Sequence, residues 1–176
     1  MNNKNAPTYP DTSSDEFFIY TTIKSPGFDG LNVRNGPYGA LSSKAPSDGT
    51  VVFCADKGLD CSIFLAESKW VSDHSCEIIQ FALEAMVDQY WENRENVLEC
   101  LIDENSDEVV PEITIPSDLK SLCGIVSIHI KEPGELGKHR FGIEFGCNWE
   151  DEHGAGVRFE NLKVINDGQA SASFDY

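Results

Sequence analysis

The chain has 176 residues, a formal net charge of −17 at pH 7 and a hydrophobic fraction of 40%. This length predicts one folded domain over residues 15–176, preceded by a loose or disordered segment over residues 1–14 that is rich in Asn, Pro, Ser and Thr. The charge excludes nucleic acid and anionic membranes as partners, because both would be repelled, and it favours a basic protein.

The first residues, MNNKNAPTYPDTSSDEF, lack the apolar core of a secretory signal, and no apolar run is long enough to cross a membrane. We therefore expect a cytoplasmic protein whose six cysteines are reduced thiols. Their spacings match no CxxC zinc pattern. They are expected to be buried and inert, with no metal and no cofactor.

Strand patterns dominate the first third of the chain. Residues 16–23 and 50–55 are dense in aromatic and β-branched residues, which is typical of strands. Residues 24–48 are interrupted by SPG, DG and NGP and predict short strands and turns, with residues 31–33 the most strand-like. Residues 62–66, SIFLA, are expected to pair with residues 50–55 as a hairpin.

A long amphipathic helix follows. Ser72 or Asp73 is the expected N-cap, the pattern runs to about Ile102, and residues 90–96 could contain a break. At about 100° per residue, one side of this helix collects the apolar positions that should pack on a sheet. These positions are Ile79, Leu83, Met86, Val87, Tyr90, Val97 and Leu101.

The last third of the chain is expected to form strands. Residues 103–111 predict an acidic loop, and Ser117 is expected to cap a short helical turn over residues 118–123 that packs Leu119, Leu122 and Cys123 inward. The strand patterns that follow cover residues 125–130, 140–147, 156–160, 162–165 and 170–174. The predicted fold is α+β, an antiparallel sheet with a C-terminal meander packed against one long helix.

The other side of the predicted helix is acidic. Its carboxylates are Asp73, Glu77, Glu84, Asp88, Glu92, Glu95 and Glu99. Only Lys69 and Arg94 lie near enough to offset them, and like charges four residues apart repel. One interpretation is a solvated outer face. The other is a docking surface for a basic protein, in which charge steers the partner and aromatic side chains anchor it. The predicted contact residues on the helix are Glu77, Phe81, Glu84, Asp88, Trp91, Glu92 and Glu95.

A second acidic feature is the turn between residues 140–147 and 156–160. Its residues are Trp149, Glu150, Asp151, Glu152, His153 and Gly154. Neighbouring side chains on a strand point to opposite faces, which disfavours a metal site, and no catalytic motif accompanies the Glu–His pair. We therefore predict no enzyme, no catalytic residue and no metal ligand, but a structural clasp whose carboxylates Glu150, Asp151 and Glu152 form a second candidate contact surface.

The stretch FGIEFGCNWEDEHGAGVRFENLKVI resembles a bacterial family of uncharacterised proteins, domain-of-unknown-function family 6985, whose signature is Cys-x-Trp-Asp-x-Glu-His-Gly followed by Gly-Val. The matching residues are Cys147, Trp149, Glu152, His153, Gly154, Gly156 and Val157. Glu150 stands where the signature has its first Asp. The segment from Asp118 to Ile130 also resembles the run before the motif.

The resemblance implies no catalytic residues. It implies a candidate immunity protein, encoded beside a toxin gene and acting in bacterial competition. Together with the charge, it predicts a protein that neutralises a cognate cationic toxin domain, for example a nuclease, by direct contact. The alternatives are a small metal-binding protein or metal-dependent hydrolase centred on Cys147, Glu152 and His153, and a housekeeping protein whose acidity aids solubility.

Overall fold

A computed structural model of the chain describes residues 11–34, 41–100, 109–150 and 152–175. One seven-stranded sheet has its strands in sequence order, and each strand is antiparallel to the next except for the parallel third and fourth. The strands are β1 (Thr12–Ser14), β2 (Phe18–Arg34), β3 (Leu41–Asp56), β4 (Cys123–Ile130), β5 (Arg140–Cys147), β6 (Ala155–Glu160) and β7 (Lys163–Gly168).

Because β3 and β4 are parallel, the chain must cross over between them, and this crossover contains two helices. The helix α1 (Cys61–Asp73) begins after Asp60, whose carboxylate accepts the backbone N–H groups of Ser62 and Ile63. His74 separates it from α2 (Ser75–Cys100). Three 3-10 helices cover Pro116–Ser121, Glu135–Gly137 and Ala170–Ser173.

The predicted apolar face of α2 packs into the core. Ile79, Leu83, Met86 and Tyr90 are at most 3% exposed, as predicted. Val87 and Val97 are partly buried at the edge of the core, and Leu101 lies outside the described residues. Leu119, Leu122 and Cys123 are buried as predicted. The strands contribute the buried side chains Phe53, Ile128, Ile143, Phe145 and Val157.

The α+β class, the C-terminal meander and the long helix are confirmed, but several local predictions are wrong. Residues 62–66 lie in α1 rather than in a hairpin strand, because Asp60 caps a helix there. Residues 170–174 do not close the sheet, since they form a 3-10 helix and its C-cap. The long helix begins at Ser75, after a separate helix, and α2 continues through residues 90–96 without a break.

Residues 24–48 form longer strands than predicted. The pairing of β2 with β3 continues past Lys24 with register shifts on either side of Asp29. Gly30, which belongs to the DG turn signal, and Gly49 both have a φ of +82°. Both glycines lie within strands of irregular pairing rather than in separate turns. Residues 35–40 and residues 101–108, which include most of the predicted acidic loop, lie outside the described residues.

The predicted loose segment over residues 1–14 includes both described and undescribed residues. Thr12–Ser14 pair with β2 as an edge strand. Residues 1–10 lie outside the described part of the chain. The boundary between a loose N-terminal segment and the domain stays a prediction.

The C-terminal 3-10 helix lies across β5 and β6. A Cβ atom at Gly142 would stand 1.8 Å from the carbonyl oxygen of Ser173, and one at Gly156 would stand 2.6 Å from that of Gln169. Glycine is therefore needed at both positions, because any side chain would push this helix off the sheet. The next residue, Phe174, then contacts the ring of His129 on β4 at a centroid distance of 5.1 Å.

No helix in the described residues is long and apolar enough to cross a membrane.

Candidate functional site

The outer surface of α2 carries the predicted acidic residues. Five of them define the surface called the acidic face below: Glu77, Glu84, Asp88, Glu92 and Glu95. All five are exposed, and Glu99 beyond them is exposed as well. Glu84, Asp88 and Glu92 follow one another at one-turn intervals, about 6 Å apart along the axis.

Among the described residues, the cations close to the acidic face are Arg94 of α2 and Lys120, which lines one cavity with Glu84. Arg94 is the basic residue of α2, and its guanidinium is directed to the carbonyl oxygen of Val110 at 2.9 Å and to the ring of Trp91 at 5.5 Å. Asp73 ends α1 and is paired with Lys69 at 2.6 Å, so it does not belong to this face. No basic residue occupies the last turn of α2, where it would favour the helix dipole.

The two predicted aromatic anchors differ in exposure. Trp91 is 38% exposed and packs edge-on against Tyr90, which fixes its orientation. Phe81 is partly buried and packs against the hydrophobic core. Trp91 therefore offers more apolar surface to a partner than Phe81 does.

The acidic turn is held together by its own side chains. The Glu150 carboxylate accepts the His153 backbone N–H at 3.2 Å and lies 3.3 Å from the ring nitrogen Nδ1 of His153. Gly154 has a φ of +62°, a conformation that glycine adopts without strain. Trp149, 2% exposed, packs edge-on against Tyr90 of α2 with 5.2 Å between ring centroids. The turn is thus fastened beside the middle of α2.

The turn residues do not converge on one point. Cys147 is fully buried and directs its Sγ to the carbonyl oxygen of Glu150 at 3.6 Å. Glu152 and His153 are exposed, and Asp151 lies outside the described residues. Across the part of the chain that the structure describes, no three His, Cys, Asp or Glu side chains are grouped so as to hold a metal ion.

Another polar cluster lies on β3, β4 and β5, and the sequence analysis did not identify it. The Sγ of Cys54 lies 3.3 Å from Nδ1 of His129, whose Nε2 lies 2.9 Å from Oε2 of Glu144. The Ser127 hydroxyl donates to the same carboxylate oxygen at 2.9 Å. The partners of His129 are brought to it by strand pairing across 75 and 15 residues, which no local pattern specifies.

These observations define a small α+β protein with an exposed acidic helix and a tryptophan-anchored turn. A family model described as a domain of unknown function, DUF6985, matches residues 63–174, and the chain belongs to this family. The match begins in α1 and ends just after the last 3-10 helix, so β1, β2 and β3 precede it. No curated protein and no solved structure showed significant similarity to the chain.

Proposed function

We propose that this protein binds a basic protein through the acidic face of α2, and that it acts as a cytoplasmic immunity protein against a cognate cationic toxin. The observation that carries the proposal is the row of exposed carboxylates on α2, a helix whose own basic residue, Arg94, is directed to Val110 and Trp91. A helix optimised only for stability would alternate charges at this spacing, because oppositely charged pairs four residues apart stabilise a helix and like pairs destabilise it.

Trp91 supplies the apolar part of such a surface. Binding energy in protein interfaces concentrates on a few aromatic and charged side chains near the centre of the contact. Trp91 lies between Asp88 and Glu92 in sequence and is already held by Tyr90, so little side-chain entropy would be lost when a partner covers it.

The turn supports the same surface. Its Trp149 packs on Tyr90, and Tyr90 also contacts Trp91, so the turn lies beside the anchor. The exposed carboxylate of Glu152 could therefore extend the acidic face toward the sheet. Glu150 contributes less, because its carboxylate is engaged with His153 and only 19% of its side chain is exposed.

The experiment is a pull-down from the source organism at low salt with the purified protein as bait. We expect a basic protein that elutes as the salt concentration rises, because exposed charges are screened over about 8–10 Å at physiological ionic strength. The test variant combines Glu84→Gln, Asp88→Asn and Glu92→Gln. The matched control combines Glu132→Gln, Glu135→Gln and Asp175→Asn, exposed carboxylates outside the elements that pack against α2, and it changes the net charge equally.

If the test variant loses the partner and the control retains it, the acidic face is the binding surface. Equal retention by both variants would reject this surface. Failure of the unmodified protein to retain any basic protein would reject the proposed function itself.

A further inference from the structure

The hydrogen bonds around His129 fix which of its ring nitrogens carries a proton. An ionised carboxylate only accepts hydrogen bonds, so Oε2 of Glu144 takes one from the Ser127 hydroxyl and one from Nε2 of His129. The Ser127 oxygen lies 3.0 Å from Nε2 and accepts from the same ring N–H. In the neutral imidazole, Nδ1 then holds a lone pair. That lone pair faces the Sγ of Cys54 at 3.3 Å, and His129 is placed to remove the thiol proton.

The protonated ring is stable in this setting. Burial alone lowers the pKa of His129, but the hydrogen bonds to Cys54 and Glu144 raise it by a larger amount. The resulting pKa is about 9, above the ordinary value of 6.5. A protonated imidazole here lies between the Cys54 sulfur and the Glu144 carboxylate, and the negative charge of Glu144 stabilises it. This is the arrangement of a cysteine activated by a neighbouring histidine.

The other ionisable groups around the cluster do not replace His129 as the base. Tyr20 is the β2 partner of Cys54, and a hydrogen bond to Asp15 raises the pKa of Tyr20 to about 12, so the phenol stays neutral. Gly142 on β5 pairs with His129 on one side and with Arg158 of β6 on the other, so these three residues form one row across the sheet. On the other side, Lys131 and Asp56 lie 3.6 Å apart and pair with each other.

A cavity of about 220 Å³ opens beside the thiol. Its walls are Phe18, Cys54, Ala55, Asp56, His129, Ile130, Lys131 and Phe174. Cys54 is only 5% exposed, so a reagent reaches its sulfur through this space. Phe18 and Phe174 give the cavity apolar walls, and the charges of Asp56 and Lys131 offset each other. The cavity therefore favours a small uncharged group over a charged one.

Two other buried cysteines show what an inert thiol looks like in this protein. The Sγ of Cys123 donates to the carbonyl oxygen of Leu119 at 3.2 Å, and that of Cys147 is directed to the carbonyl oxygen of Glu150. Both are fully buried. A backbone carbonyl accepts a hydrogen bond but does not take the proton, whereas the imidazole beside Cys54 does.

We propose that Cys54 is a nucleophilic thiol, with His129 as its base and Glu144 as a positioning residue, and that it accepts a small uncharged acyl group from a thioester. The sulfur of Cys54 forms a bond to the carbonyl carbon, and the bond from that carbon to the departing sulfur breaks. The imidazolium of His129 returns its proton to the departing thiolate. This site is separate from α2 and does not depend on partner binding.

The first experiment measures the alkylation rate of each cysteine with iodoacetamide by mass spectrometry at pH 6.5. A positioned base typically contributes about 100-fold or more to a step in which it removes a proton. We expect His129→Gln to slow alkylation of Cys54 by about tenfold or more at pH 6.5 and much less at pH 9.5, and Glu144→Gln to shift the pH profile in the same direction.

The other cysteines are internal controls. Cys61, Cys76 and Cys100 are exposed and should react equally in all variants, while Cys123 and Cys147 should stay protected as long as the variant is folded. Cys54→Ser provides a measurement that needs no His129 variant, since it should remove the alkylation at position 54 and leave that of the exposed cysteines unchanged.

The second experiment offers a butyryl thioester of N-acetylcysteamine, and we expect the acyl adduct on Cys54.

The proposal fails if Cys54 is as unreactive as Cys123 in the folded protein. It also fails if the pH profile of alkylation is the same without His129. Alkylation of Cys54 combined with acylation only of the exposed cysteines would overturn the assignment of an acyl donor.

Discussion

Replacing Asp88 by Asn should make the protein more stable, because Asp88 lies between two like charges on α2. Glu84 precedes it by four residues and Glu92 follows it by four, and all three carboxylates are exposed. Each like-charged pair at this spacing costs about 0.2–0.5 kcal/mol, so removing both pairs should add about 0.4–1 kcal/mol to the free energy of unfolding. Asn and Asp have nearly equal helix propensities, so the change isolates the charge.

The assay is urea unfolding followed by circular dichroism, at low salt and in 1 M NaCl. The control variant is Asp175→Asn, which removes an exposed carboxylate next to the C-terminal 3-10 helix and changes the net charge equally. We expect the gain from Asp88→Asn to exceed that of the control at low salt and to vanish in 1 M NaCl, where the screening length is about 3 Å. A loss of stability, or a gain that survives high salt, would refute the electrostatic reasoning.

Three further predictions concern the rest of the molecule. Trp149→Ala should lower the free energy of unfolding by about 3–5 kcal/mol, because the ring is buried against Tyr90, whereas Trp91→Ala should cost under about 1 kcal/mol and weaken partner retention. Gly142→Ala should cost about 1–3 kcal/mol by displacing the C-terminal 3-10 helix, while Gly58→Ala, in open space, should stay within about 0.5 kcal/mol of the unmodified protein; equal effects would contradict the packing argument. The pKa of His129 is about 9 in the folded protein and near 6.5 in the unfolded chain. The stabilisation that protonated His129 gives the folded protein is therefore complete below pH 6.5 and is lost as the pH rises to about 9. The difference in unfolding free energy between the unmodified protein and His129→Asn should therefore shrink from pH 6.5 to pH 9.5, and a constant difference would contradict it.

Elements with a local signal could be predicted from the sequence. The 3.6-residue period of α2 separated Ile79, Leu83 and Met86 from Glu84 and Asp88, and the structure buries the first group and exposes the second. The strand at residues 140–147 was predicted with the bounds of β5. In both cases the pattern depends only on neighbours within one element.

One local signal was missed. Residues 62–66 are a short apolar run, which suits a strand or a buried helix equally, and the N-cap at Asp60 decides for the helix.

Features that depend on distant contacts could not be predicted from local patterns. The cluster at Cys54 needs the parallel pairing of β3 with β4, which sets Cys54 opposite His129 after two intervening helices. No local pattern specifies that register, so the cysteine–histidine pair visible in the sequence was Cys147 and His153 at the turn.

The measurement that tests the central claim most directly is the affinity of the captured basic protein for the two triple variants, determined by calorimetry over a range of salt concentrations. We expect the variant with Glu84→Gln, Asp88→Asn and Glu92→Gln to bind at least tenfold more weakly, or about 1.4 kcal/mol, and with a smaller salt dependence than the unmodified protein. The control with Glu132→Gln, Glu135→Gln and Asp175→Asn should bind within about twofold of the unmodified protein. Equal affinities and equal salt dependence for the two variants would contradict the assignment of the acidic face as the binding surface.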